Sequence, residues 1–242
     1  MEEESKAVQE VAKAASKGIE ASEKLGGFLS KVLGEGLVEL GSAFSDWAKA
    51  YRYKNLLKLS DEIEQIHADR KLQGKTIPIL PKYALPILQE ASLEDDADVR
   101  SLWAGLIANA TDPNLKFQIK KLYVEILSSL DPIDAAILNY LERPEVDEKY
   151  NFITGNQLNS EELAKFLDRD EEDVKVSLSN LFRHGLIIDS WEQSIDSMDR
   201  GYSGFRVNNP KSNYRLSHLG STLLDGCKTT YKALQPTQKP HG

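Results

Sequence analysis

The chain has 242 residues, of which 40% are hydrophobic and 28% charged, and its formal net charge at neutral pH is -8. This composition is typical of a soluble globular protein and excludes a fibrous or wholly disordered chain. The acidic balance argues against a dedicated polyanion-binding protein, because phosphate binding draws on summed positive potential. Cys227 is the single cysteine, which excludes an intrachain disulfide and disfavours a cysteine-based zinc site.

The N-terminal residues do not have the pattern of a secretory signal. Met1–Ser5 contains three glutamates, whereas a signal peptide begins with a basic segment followed by an unbroken apolar run. The most apolar stretch, Gly26 to Trp47, carries four charged residues, which disfavours a simple transmembrane helix. These are Lys31, Glu35, Glu39 and Asp46. We therefore expect the protein to be cytoplasmic.

Residues 1–48 predict one amphipathic helix or two joined helices, because apolar residues recur at helical spacing. The segment also contains several glycines, each of which costs a helix interior about 1 kcal/mol relative to alanine. They are Gly18, Gly26, Gly27, Gly34, Gly36 and Gly41. They indicate a turn at Gly26–Gly27, a close helix–helix contact, or a segment that changes conformation.

Residues 49–129 predict a helical domain. The helical pattern continues to about Gly74, and a connector or helix entry with three prolines follows over residues 77–86. The acidic run Glu94–Asp98 is typical of a helix start, and Asp112–Pro113 closes that helix. A further helix is expected from about Leu115 to Ser129. Its expected buried face consists of Phe117, Ile119, Leu122, Tyr123 and Ile126.

Residues 130–234 predict a winged helix-turn-helix domain, and residues 235–242 a flexible tail. Asp131 and Asp170 are candidate N-caps of the first and third helices, and the second helix begins at residues 159–163. The third helix ends at His184–Gly185. A strand at residues 186–188, a polar excursion, a returning strand at residues 214–217 and a closing helix to about residue 234 follow. This order is typical of winged helices. The third helix carries Val174, Val176, Leu178, Leu181 and Phe182.

The expected fold class is therefore mainly α: an N-terminal helical region followed by a C-terminal winged helix-turn-helix domain with a small antiparallel β-wing. The charge of the third helix argues against a DNA-reading role. Its first turn carries Asp170, Glu171, Glu172 and Asp173, where base recognition needs Arg, Asn or Gln, and residues 130–234 contain 12 Lys or Arg against 18 Asp or Glu. We therefore expect this domain to contact a protein partner, with nucleic acid a less favoured alternative.

Two basic clusters are candidate contact sites. The wing has no acidic residue between Arg200 and Asp225 and interleaves cations with aromatic rings, a pattern that suits nucleic acid or an acidic partner. Its candidate residues are Arg200, Tyr202, Phe205, Arg206, Lys211 and Arg215. A second basic run lies between Asp46 and Asp61 and is a candidate docking face for a phosphate or an acidic protein. It consists of Lys49, Arg52, Lys54 and Lys58.

No catalytic or metal-binding motif is present in the sequence. The four histidines form no pair at metal-ligand spacing, and Cys227 lies on an apolar helix face, as expected of a structural thiol. Glu64 and His67 are one helical turn apart and predict a surface ion pair. We expect no enzyme activity, no metal and no cofactor.

Six segments spread over the chain together carry a family resemblance. They are GIEASEKLGGFL (18–29), YRYKNL (51–56), IPILPKYALPIL (77–88), LWAGLIANATDP (102–113), LDPIDA (130–135) and YRLSHLG (214–220). As a set, over about residues 15–225, they resemble the abortive-infection alpha (Abi-alpha) family of bacterial proteins. The resemblance implies a role in phage defence, in which an infected cell stops growing or dies before phage is released. It implies no catalytic residues, and the wing, about residues 190–213, is longer than the family pattern needs.

The expected function is a non-catalytic interaction protein of phage defence. Its winged-helix module would recognise a protein partner, and its N-terminal helices would oligomerise, with a homo-oligomer as one form, or rearrange. One alternative is a membrane-acting effector, in which residues 19–54 bury an apolar face in the bilayer and Lys49, Arg52 and Lys54 meet anionic headgroups. The other is a nucleic-acid-binding regulator that acts through the basic wing.

Overall fold

A computed structural model of the protein describes residues 20–33, 46–72, 74–142, 144–147, 152–155, 159–190 and 213–229. The fold is mainly helical, as the sequence predicts. Its described residues fall into two compact units. Unit 1 contains those up to residue 95 together with 100–124 and 226–229, and unit 2 contains 96–99 and 125–225. Within the described ranges, no helix combines the length and the apolar character needed to cross a membrane.

In the described residues of the first half of the chain, all regular secondary structure is helical. Helix α1 covers residues 20–33 of the described chain. It is followed by α2 (Asp46–Asp69), α3 (Pro81–Ala91), α4 (Ala97–Thr111) and α5 (Lys121–Leu127).

The second half combines helices with two small sheets. Its elements are α6 (Pro132–Glu142), β1 (Pro144–Asp147), β2 (Phe152–Gly155), α7 (Ser160–Leu167), α8 (Glu171–Arg183), β3 (Ile187–Ser190), β4 (Asn213–Leu216) and α9 (His218–Cys227). Strand β1 pairs antiparallel with β2, a hairpin that the sequence pattern did not predict. Strand β3 pairs antiparallel with β4, with Ile187 opposite Leu216, as expected for the strands predicted at residues 186–188 and 214–217.

Helix α1 contradicts the turn expected at Gly26–Gly27. The helix is continuous through both glycines, and Leu25, Phe28 and Val32 are buried along one face. A methyl group built on either glycine would meet no atom within 4 Å, so close helix packing does not explain them either. Burial of the apolar stripe outweighs the helix-propensity cost of the two glycines. The other glycines of this segment, Gly18, Gly34, Gly36 and Gly41, lie outside the described residues.

Capping side chains begin three helices where the sequence predicts them. The carboxylate of Asp96 accepts hydrogen bonds from two backbone N–H groups in the first turn of α4, at 2.9 and 3.1 Å. Asn159 and Glu162 form a capping box at the start of α7, and Asp170 accepts from the backbone N–H of Glu172 at 2.8 Å in α8. Each cap satisfies donors that a helix leaves without partners at its N-terminus.

The core of unit 1 is built on α4. Trp103 is buried with 1% of its surface exposed, and Leu106 and Ile107 beside it are fully buried. Leu59 of α2 and Ile87 of α3 are equally inaccessible to solvent. Burial of this much apolar surface is the main stabilising term available to the unit.

The helix expected from Leu115 to Ser129 is shorter in the structure, where α5 begins only at Lys121. Residues 116–120 are not helical, and the ring of Phe117 lies so close to Gly226 that a methyl group built on this glycine would be 2.8 Å from the ring. This long-range contact replaces the expected helical turn. Leu122, expected to be buried, is 43% exposed.

Three polar side chains of unit 1 form a clamp around the segment that follows α9. The guanidinium of Arg70 donates to the side-chain oxygen of Asn109 at 2.7 Å and to a carboxylate oxygen of Asp112 at 3.4 Å. It also donates to the backbone oxygens of Lys228 and Thr229 at 3.1 and 3.0 Å. The clamp therefore supplies hydrogen-bond donors to the backbone carbonyl groups immediately after the C-terminus of α9.

Helix α9 ends at Cys227, whereas the sequence predicts a helix to about residue 234. Residues 228 and 229 are not helical, and those from 230 onwards lie outside the described residues. Asn109 donates to the backbone oxygen of Gly226 at 2.8 Å. Beside it, Gly105 lies so close to this helix end that a Cβ atom built on it would be 1.7 Å from the backbone oxygen of Cys227. Only glycine permits this approach of α4 to α9.

We expect Gly105→Ala to lower the free energy of unfolding by about 1–3 kcal/mol, because the added methyl group overlaps a backbone carbonyl that cannot move without opening the clamp. Gly27→Ala is the matched control: its methyl group meets open space, and it should leave stability unchanged or raise it by at most about 1 kcal/mol. Urea unfolding of the three proteins measures both effects. Equal stability of Gly105→Ala and the unsubstituted chain would contradict the packing described above.

Candidate interaction surface

The turn between α7 and α8 sets the direction of α8. Asp168 adopts a left-handed backbone conformation, with φ 52° and ψ 52°, and ends α7 by donating its N–H to the backbone oxygen of Ala164. Two residues later Asp170 caps α8. Helix α8 then packs on α6 and α7 and buries Val174 and Leu181.

A buried polar contact fixes the rotation of α8 about its own axis. The side-chain amide of Asn180 donates to the carboxylate of Asp134 at 2.7 Å and to the backbone oxygen of Ser129 at 3.0 Å. His184 contacts the hydroxyl of Ser129 at 2.9 Å. Asp134 is only 1% exposed. Burial raises the pKa of its carboxyl group, and burial likewise lowers the pKa of His184.

This rotation turns two large apolar side chains towards solvent. Val176 is 69% exposed and Phe182 57% exposed, although the sequence groups them with the apolar residues of the third helix. Val176, Ser179 and Phe182 follow one another at intervals of three residues and form a slanted row, which we call the outward stripe of α8. Each residue of a helix is rotated by about 100° from the last. Val176 therefore cannot share a face with Val174, a signal that was available in the sequence.

The N-terminal turn of α8 adds negative charge beside the outward stripe. We call Asp170–Asp173 the acidic turn: Asp170, Glu172 and Asp173 are exposed and Glu171 is half-buried. Lys175 donates to Glu172 at 2.8 Å and lies 3.3 Å from Glu171. Hydrogen bonds to Glu172 and Glu171 raise the pKa of Lys175. One lysine thus faces several carboxylates, and the turn stays acidic, as the sequence predicts.

The structure places only one candidate residue of the wing. Arg215 lies on β4, opposite Ile188, and its side chain is exposed. The other five candidates, Arg200, Tyr202, Phe205, Arg206 and Lys211, lie outside the described residues. The continuity of a cationic wing therefore stays a prediction.

The basic run on α2 does not form one face. The guanidinium of Arg52 donates to the backbone oxygen of Gln89 at 3.3 Å and to the hydroxyl of Ser92 at 3.2 Å, so it is engaged at the C-terminus of α3. Lys54, two positions later, is exposed and about 200° around the helix axis from Arg52. Lys58 is half-buried on the side of Lys54, and Lys49 lies on α2 before Arg52.

A cleft of about 580 Å³ lies in unit 1 between α1, α2 and the loop that follows α2. Its charged groups are paired: Lys24 with Asp61, and Lys31 with Glu64 at 3.4 Å. The expected ion pair between Glu64 and His67 is wrong. The Nε2 atom of His67 instead lies 2.9 Å from the hydroxyl oxygen of Thr111. The hydroxyl donates to a backbone oxygen within α4, so it accepts from His67. Burial lowers the pKa of His67.

Comparison with known proteins gives a family. A family model described as abortive infection alpha matches residues 51–227, which is well over half of the chain. The chain belongs to the abortive infection alpha family. This membership associates it with abortive infection, that is, with phage defence, as the resemblance implied. The segment at residues 18–29 lies before the matched range. No curated protein and no solved structure matches the chain.

The lowered pKa of His67 predicts that unit 1 loses stability at acidic pH. The pKa of His67 in the folded chain lies below the ordinary value of 6.5, so the unfolded chain binds more protons between those two values. The free energy of unfolding should be highest above pH 6.5 and fall as the pH decreases towards the folded pKa. His67→Gln can still donate to Thr111 but cannot be protonated. It should therefore show a smaller loss of stability between about pH 7.5 and about pH 5.5.

Urea unfolding at the two pH values measures this difference. His184, whose pKa burial also lowers, leaves a residual loss of the same sign in both proteins. An identical loss in His67→Gln and in the unsubstituted chain would contradict the prediction.

Proposed function

We propose that this member of the abortive infection alpha family is a non-catalytic interaction protein of phage defence in the bacterial cytoplasm, and that the outward stripe of α8 is its contact with a protein partner. The observation that carries the proposal is the exposure of Val176 and Phe182 beside the acidic turn. Large apolar side chains that are solvated in the free chain gain free energy when a partner covers them. An aromatic side chain such as Phe182 is typical of the centre of a protein interface.

We further propose that unit 2 is a winged-helix module. Three helices, α6, α7 and α8, precede the antiparallel pair β3–β4, and a tight turn joins α7 to α8. In this arrangement α8 occupies the place of the helix that enters the major groove in DNA-binding relatives of the fold. A shared fold does not carry a shared ligand, so the side chains on α8 decide what the module binds.

The side chains of α8 favour protein over DNA. Carboxylates of the acidic turn would face phosphates, and Val176 offers no hydrogen bond to a base edge. Arg183 donates to Asn180 at 2.8 Å and Lys175 is held by Glu172, so both cations already have partners. These contacts hold both cations against neighbours on the same helix, which disfavours their use in sequence-specific base contacts.

The described part of α1 argues against the membrane alternative. Leu25, Phe28 and Val32, which would enter the bilayer, are buried in unit 1. Exposing them to lipid would first remove them from the core, at a cost of about 1.5–3 kcal/mol for each side chain. A protein contact through α8 needs no such rearrangement.

We expect Val176→Ser combined with Phe182→Ser to abolish protection against phage in a bacterium that expresses the chain. Both side chains are exposed, so the free energy of unfolding should change by no more than about 0.5 kcal/mol. Phage plating and the survival of infected cells measure protection, and urea unfolding confirms the fold. Leu122→Ser is the matched control, because Leu122 is 43% exposed on α5, and it should protect as well as the unsubstituted chain.

Two results would contradict the proposal. Full protection by the double variant would exclude the outward stripe as the contact. Expression of the unsubstituted chain without any effect on plating or survival would exclude the role in phage defence.

A further inference from the structure

We propose that the partner of α8 is a second copy of this chain, which docks through an apolar and basic surface around α3. The inference rests on the proposed contact role of the outward stripe and names what covers it. It depends on two surfaces of the same chain that are both exposed and that carry opposite charge.

The surface around α3 is basic. No Asp or Glu occurs from Arg70 to Gln89, whereas four cations do. Arg70 belongs to the clamp in unit 1, but Lys71, Lys75 and Lys82 are exposed. This stretch is therefore cationic at the surface although the whole chain is acidic.

The same stretch of chain exposes large apolar side chains. Leu80 is 61% exposed, Ile77 46% and Leu85 40%. We call these three residues together with Lys75 and Lys82 the α3 surface. Helix α3 buries its other side, which consists of Ala84, Ile87, Leu88 and Ala91. Solvated leucine and isoleucine side chains beside lysines are typical of a surface that another molecule covers.

Three prolines make the α3 surface rigid. Pro78 precedes the helix, Pro81 occupies its first turn and Pro86 lies inside it. Proline fixes φ near -65°, so little backbone freedom remains to be lost when this surface docks. A preformed surface loses less conformational entropy on binding, which favours a specific contact over transient adhesion.

Charge decides which surfaces can meet. Two acidic turns facing each other would repel, and so would two α3 surfaces. The α3 surface against α8 places Lys75 and Lys82 opposite Glu172 and Asp173, and brings the exposed leucines and isoleucine against the outward stripe. Complementary charge fixes the orientation of such a contact, while apolar burial supplies most of its affinity.

A contact between two different surfaces is heterologous. In an open assembly, the copy at one end has an unused α3 surface and the copy at the other end has an unused outward stripe. Such an assembly closes into a ring or grows by further addition, according to the rotation between copies. Its formation should depend on protein concentration and weaken with salt, because the charged groups are exposed.

An anionic membrane would fit the α3 surface but not the acidic α8. The net charge of -8 also opposes long-range attraction to anionic lipid. A second copy accounts for both exposed surfaces, whereas a membrane accounts for one.

A charge exchange between the two surfaces tests the proposal. Lys75→Glu with Lys82→Glu makes the α3 surface acidic, and Glu172→Lys with Asp173→Lys makes the start of α8 basic. Within either variant the two surfaces then carry like charge, so each variant alone should associate at least about tenfold more weakly than the unsubstituted chain. In an equimolar mixture every α3 surface finds an oppositely charged α8 on the other variant, and association should return.

Sedimentation velocity over a concentration series measures association of each full-length chain and of the mixture. Lys116→Glu with Lys121→Glu is the matched control, because both lysines are exposed near the start of α5. It makes the same change of charge outside both surfaces and should associate like the unsubstituted chain. If the lysine variant of α8 does not fold, Glu172→Gln with Asp173→Asn replaces it. This neutral variant alone should associate more weakly than the unsubstituted chain. Mixed with the glutamate variant of the α3 surface, it should associate more strongly than the glutamate variant does alone.

An unsubstituted chain that stays monomeric throughout the series overturns the proposal, as does a mixture that remains as monomeric as its components. Vesicles containing phosphatidylserine test the membrane alternative. The self-docking proposal is also overturned if the unsubstituted chain does not self-associate, binds these vesicles and loses that binding with Lys75→Glu and Lys82→Glu. The proposed function is tested separately. If self-association is absent but Val176→Ser with Phe182→Ser still abolishes phage protection, α8 binds another protein and only the self-docking is wrong.

Discussion

Between α7 and α8 the chain turns within three residues, and this turn determines which side of α8 faces solvent. The left-handed backbone at Asp168 ends α7, and the cap at Asp170 starts α8 in a new direction. The hydrogen bond from Asn180 to buried Asp134 then locks the rotation of α8. A slip of one residue would rotate the helix by about 100°, burying the outward stripe and exposing the core positions. The candidate interaction surface is a consequence of these local constraints.

The acidic turn of α8 combines a structural role with a functional one. Carboxylates at the N-terminus of a helix interact favourably with the positive end of its dipole, and Asp170 also satisfies a backbone donor. In a helix that reads the major groove, this end contacts base edges between the two phosphate backbones, and the same charges would oppose binding. Under the proposed function, the residues that stabilise α8 also direct it away from DNA and towards a protein partner.

Unit 1 shows how polar groups can end a helix over a long distance in sequence. Arg70 and Asn109 donate to backbone oxygens of residues 226–229, and Gly105 lets that backbone approach α4. Each contact is of modest net strength, about 1 kcal/mol for a typical hydrogen bond. Together they supply donors to the carbonyl groups of this segment, and a buried carbonyl group without a donor would be the larger cost.

The sequence by itself determined the features that depend on neighbours along the chain. The helix starts at Asp96, Asn159 and Asp170 follow from side chains that bond to backbone within a few residues. The left-handed backbone at Gly185 follows from the missing Cβ atom of glycine, and the charge of the acidic turn follows from its residue types. The tertiary structure decided what depends on partners far along the chain. The short α5 follows from Phe117 against Gly226, and the exposure of Phe182 from the packing of α8 on α6. Periodicity identifies apolar residues, but only the packed neighbours decide which of them are covered.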